Sequence, residues 1–194
     1  FNKELDALLA ETVQKHRRII FNGDNYNAEW VAEAKRRGLL SLASTAEALP
    51  HFSDKKNIEL FRRHKIFTES EIYSRRDILL DNYNQVIMIE AATMLDMAKK
   101  DILPACLAYE RALAETAAAK KAVGLSVENS AEAVLLGKID ALCTELTERI
   151  ASTEALREKA KTIKELTSKA RFVCDEVHSS MSALRAVADE LEDT

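Results

Sequence analysis

At 194 residues the chain is long enough for one large domain, or for a small domain with an appendage. Its 4 glycines and 2 prolines fall far below the usual shares of roughly 7% and 5%. That scarcity excludes a β-rich fold and, with the abundance of Ala, Leu, Glu and Lys, predicts an all-α protein. A net charge of −4, from 28 basic and 32 acidic residues interleaved along the chain, leaves no basic face for nucleic acid.

The predicted helices follow one another with clear punctuation. Leu5, Leu8, Leu9, Val13 and His16 mark one face of a first helix that ends near Arg18. The stretch "FNGDNYN" follows, and Asn27 then caps a helix over "AEWVAEAKRR", with Gly38 as its stop. Ser44 and Glu47 have capping-box spacing for a short helix that Pro50 is expected to end. Ser53 is expected to open the next, with Ile58 and Phe61 inward. Thr68 and Glu71 form a second capping box, with no strong stop until Gly124. A continuous helix there would be roughly 80 Å long, kinked at Pro104.

Asn129 and Glu132 open the next predicted helix, whose pattern slips near "ASTEA" (151–155), where a break is expected. From there Leu156, Ile163, Ala170, Val177, Leu184 and Leu191 repeat every seven residues. A second row, Ala160, Thr167, Cys174, Met181 and Ala188, runs four positions on. The two rows make a coiled-coil-like seam of about five heptads, which needs another helix alongside. The expected architecture is therefore short helices over residues 1–67, beside a long helical hairpin or three-helix antiparallel bundle over 68–194.

Chemistry-bearing patterns are sparse. Asp175 and His178 give one Asp-x-x-His spacing without a second copy, and His16, His51 and His64 stand elsewhere, so no metal site is expected. Cys106, Cys143 and Cys174 stand singly, without a Cys-x-x-Cys pair. They read as small buried hydrophobes in a reducing, cytoplasmic setting. No apolar run approaches the roughly 20 residues of a membrane helix. Phe1 is not an initiator Met, which leads us to expect a piece of a longer protein. The basic pairs Arg17/Arg18, Arg36/Arg37, Arg62/Arg63, Arg75/Arg76, Lys99/Lys100 and Lys120/Lys121 read as solvated helix ends and faces. The candidate loop Asn22, Gly23, Asp24, Asn25 and Tyr26 reads as an interhelical joint, since Asn, Gly and Asp tolerate left-handed backbone. The rival reading is a loop that reaches into a site built elsewhere.

Three stretches together resemble the C-terminal part of glutamine synthetase in its large type III form: "RRIIFNGDNYNAEWVAEAKRRGLLSL" (17–42), "STAEALPHFSDKKNIELFRRHKIFTESEI" (44–72) and "IEAATMLDMAKKDILPA" (89–105). The middle stretch is also similar to the ending of ordinary glutamine synthetases, where an Ala-Leu helix, a second helix and a Phe-Thr step precede the last helix. Here those are Ala48-Leu49, Leu60-Phe61 and Phe67-Thr68. The likeness is firm over about 12–123 and looser over 129–194, where "MSALRAVADELED" carries it. Relatives place a Pro shortly before the equivalent Met; "HSSM" (178–181) has none, which leaves the path of the last helix open.

The resemblance implies a parent enzyme that joins ammonia to glutamate with ATP and magnesium. The metal-binding and nucleotide-binding residues of that family lie on a β-sheet half barrel, of which this chain shows no alternating run. No catalytic, cofactor-binding or metal-binding residue is therefore assigned here. The implied partners are the catalytic half of the same polypeptide and the other subunits of a homo-oligomer, with neither nucleic acid nor membrane. A free-standing helical scaffold protein is the alternative that composition and heptads alone would equally allow.

Overall fold

The computed structural model describes residues 1–194, and every regular element in it is helical. Helices run over Asn2–Lys15 (α1), Ala28–Arg36 (α2), Thr45–Phe52 (α3), Lys55–Arg63 (α4), Glu69–Met97 (α5), Leu103–Ala122 (α6), Ala131–Thr162 (α7), Leu166–Phe172 (α8) and His178–Glu192 (α9). None is long and apolar enough to cross a membrane. The chain divides into two compact units, Phe1–Ala43 and Ser44–Thr194.

In the first unit, α1 is followed by a 3-10 turn at Arg17–Ile19, the loop, and α2. Asn27 Oδ1 accepts from the Trp30 amide at 3.0 Å, which caps α2. At the other end Gly38 adopts φ +68°. The Leu39 and Gly38 amides then close onto the carbonyls of Ala34 and Lys35, which satisfies groups the helix end would leave open. Helix α1 differs in kind: it buries no residue at all.

In the second unit both capping boxes form as the spacing predicts, Ser44 with Glu47 and Thr68 with Glu71. Several punctuation marks act otherwise than expected. Pro50 lies inside α3, which continues to Phe52; a proline this near the end of a helix sacrifices one amide bond without stopping the last turn. Asp54, not Ser53, precedes α4, and its carboxylate meets His51 Nδ1 at 2.9 Å. Ser130 Oγ caps α7 by accepting from the Ala133 amide, while Asn129 turns through φ +57°.

Past Pro104 the chain stays helical from Glu69 to Ala122, with a widened π-type turn at Ala98–Ile102 just before the proline. The wider turn falls where the proline removes a donor and crowds the preceding carbonyls. Helix α7 runs unbroken through 151–155, where Thr153 is fully buried and its hydroxyl meets Ser180 Oγ at 2.6 Å. The break falls instead at Ile163–Glu165, where Glu165 accepts from the amides of Thr167 and Ser168 and starts α8. The last helix is continuous from Leu166 to Glu192 apart from a second π-type turn at Val173–Val177.

Cross-helix pairs establish direction. Lys120 meets Glu132 beside the α6–α7 turn, Lys99 meets Glu154 further out, and Arg157 donates to the Met88 carbonyl further still. Helix α7 therefore runs antiparallel to α5 and α6. Lys138 with Glu190 and Thr153 with Ser180 make α9 antiparallel to α7 in the same way. Between them lies a core that includes Leu95, Leu113, Ile139, Leu146, Ile150, Leu184 and Leu191. Of the predicted seam, Ala160, Ala170, Val177, Met181, Leu184 and Leu191 are buried. A boundary at 67/68 falls within this unit, because Ala46 of α3 is buried against Leu80 and Ala170.

Candidate functional site

The candidate loop is built around Phe21 rather than around its polar residues. The Phe21 ring lies 4.6 Å from that of Trp30, centroid to centroid, and 5.7 Å below the Arg37 guanidinium. Arg37 Nη1 donates to the carbonyls of Ile20 at 2.6 Å and Arg18 at 3.2 Å, which ties the end of α2 to the strand of chain entering the loop. Its Nε donates to Glu33, which also receives Arg36 Nε and Nη2. Hydrogen bonds from Arg36 and then Arg37 hold the Glu33 carboxyl down at about 2.

The polar residues of the loop shape its path. Asp24 Oδ1 accepts from the Tyr26 amide at 2.9 Å, a local bond that fixes a turn. A Cβ at Gly23 would stand 2.6 Å from the Phe21 ring, so any larger residue there must push that ring aside. Asn22 and Asn25 are exposed, and Tyr26 is almost wholly so. The loop residues do not converge on one point. Phe21 and Arg37 carry the joint; Phe21 was concealed in the sequence as one apolar residue beside a polar run, and Arg37 as one of several basic helix ends.

Elsewhere, no group of three His, Cys, Asp or Glu side chains stands close enough to hold a metal ion. Asp175 and His178 are both exposed on the last helix. The three cysteines are free, with Cys143 buried and its thiol pushed up to about 11, first by burial and then by Cys106 and nearby carboxylates. Such a thiol is held as thiol at neutral pH and is a weak nucleophile. Tyr83 is likewise raised to about 12 by burial and by its contact with Cys174. These groups belong to the packing of the bundle.

The fold and the loop thus define an all-helical protein whose polar loop braces two helices. Comparison with known proteins supplies the family. The glutamine synthetase C-terminal domain model matches residues 4–121. Glutamine synthetase of Butyrivibrio fibrisolvens is 35% identical over 190 residues, covering 98% of this chain and 27% of that protein. Type-3 glutamine synthetase of Dictyostelium discoideum is 41% identical over 116 residues, or 60% of this chain and 15% of that protein. Glutamine synthetase of Bacteroides fragilis is 33% identical over 108 residues, again 15% of its length. The chain belongs to the glutamine synthetase C-terminal domain family, and it spans about a quarter or less of the length of these relatives.

Proposed function

We propose that this chain is the C-terminal helical, non-catalytic portion of a cytoplasmic glutamine synthetase, serving domain packing and subunit assembly. The parent would join ammonia to glutamate with ATP and magnesium, held by residues of the remaining polypeptide. The observation that carries this reading is α1. A helix of 14 residues is marginal in water without tertiary support. Yet α1 buries nothing and leaves Leu5, Leu8, Leu9 and Val13 between 40% and 59% exposed along one side. An apolar stripe of that kind is a packing face awaiting its surface, and the catalytic half of the same polypeptide is the surface proposed. The expected docking segment narrows from residues 1–67 to the first unit, because α3 packs into the bundle. The bundle would then serve contacts between subunits, through α5 residues such as Ile78, Val86, Ile89 and Met97, each at least 42% exposed.

The test is glutamate- and ammonium-dependent phosphate release from ATP, run on the full natural reading frame and on the 194-residue chain side by side. Activity in the first and none in the second is the expected result. A folded, magnesium-loaded full-length product without activity would overturn the reading and favour a helical scaffold.

A further inference from the structure

Two of the six basic pairs in the sequence, Arg17/Arg18 and Arg36/Arg37, line one open pocket of 540 Å³ together with Phe21 and Asn22. They come from opposite sides of the loop, the first pair from the 3-10 turn and the second from the end of α2. That convergence exceeds what capping a helix end requires. Glu33 offsets one of the four guanidinium charges, and the C-terminus of α2 contributes about half a negative charge more. No other carboxylate is paired with these arginines, and Arg17 and Arg18 are in no ion pair. The pocket keeps a surplus of about two to three positive charges.

The pocket is also partly prebuilt. Arg37 is only 19% exposed and is fixed by Glu33, by two backbone carbonyls and by the Phe21 ring. We propose that this pocket binds a multivalent phosphate anion, of the inorganic pyrophosphate class. Guanidinium groups match phosphate oxygens in paired, planar hydrogen bonds, which ammonium groups cannot reproduce. Glu33 already occupies the carboxylate-binding fork of Arg36, so the donors left over are divided among separate side chains. That arrangement suits an anion with many oxygens better than a planar carboxylate. The Phe21 ring that lines the pocket is packed against Trp30 and lies under the Arg37 guanidinium. It is independent of the packing role proposed above.

The experiment is calorimetric titration of the 194-residue chain with inorganic pyrophosphate at 50 and 200 mM NaCl, with Trp30 emission followed in parallel. One saturable site per chain is expected, with affinity falling severalfold at the higher salt. Arg17→Gln with Arg18→Gln should weaken it at least tenfold. Lys55→Gln with Lys56→Gln, an equal change of charge at two exposed positions on α4, should leave it within twofold. Arg17→Lys with Arg18→Lys keeps the charge and loses the fork, and should weaken binding severalfold while Trp30 emission reports an intact unit. Absence of saturable binding by the folded chain overturns the proposal. So does equal weakening by both glutamine pairs, which marks net-charge attraction only, and so does glutamate or an acidic peptide binding as tightly as pyrophosphate, which marks a docking site for carboxylates.

Discussion

Gly23 shows how one residue decides the character of a loop. Its backbone does not need the left-handed region, but its missing side chain makes room for the Phe21 ring. That ring also packs against Trp30 and lies under Arg37, so a larger side chain at position 23 must displace it from these contacts. Overpacking of this kind typically costs about 1–3 kcal/mol. Gly23→Val should therefore lower the midpoint of thermal unfolding of the first unit, followed by Trp30, the chain's only tryptophan. In a full-length enzyme the same change should reduce stability or assembly before it reduces ATP affinity. Selective loss of ATP affinity in a well-assembled enzyme would show that the loop serves the substrate site instead.

At the scale of elements, the start of α8 depends on a charge. The Glu165 carboxyl is held at about 2 by hydrogen bonds from Ser168, through its side chain and amide, and from the Thr167 amide. Its ordinary value is 4.5. A folded-state value below the unfolded one means the contribution is complete above about pH 4.5 and is lost as pH falls towards 2. Thermal unfolding of the native chain and of Glu165→Gln, measured by circular dichroism, should differ at pH 6 and converge near pH 2. A gap that stays constant across that range would mean the carboxylate is not what starts the helix. The break itself had no mark in the sequence, because "TIKEL" contains neither Gly nor Pro. At the expected slip α7 stays helical, with Thr153 buried and its hydroxyl meeting Ser180 Oγ across the bundle.

For the molecule as a whole, the notable quantity is apolar surface without cover. Helix α1 in the first unit and the outer side of α5 in the second each leave large aliphatic side chains exposed. Exposed apolar surface of this kind should drive the 194-residue chain to associate with itself. Sedimentation of the 194-residue chain at increasing concentration should show that association. Leu8→Glu with Val13→Glu should weaken it and leave helix content little changed, since neither side chain is buried. A monomer at every concentration would argue against α1 as a packing face.

Much of this architecture was legible before any coordinates. The scarcity of glycine and proline, the two capping boxes and the sevenfold apolar rows are local properties, and each is expressed within a turn or two of the residues that carry it. The family resemblance was legible for the same reason, as runs of adjacent residues. Tertiary structure decided what depends on residues far apart. It chose a three-helix bundle over a hairpin, moved the break from 151–155 to Ile163–Glu165, and took α3 into the bundle. It also brought Arg17 and Arg18 to Arg36 and Arg37. A charged pair in sequence looks the same whether it meets water or another pair, because the desolvation and Coulomb energies that distinguish the two arise only when distant segments meet.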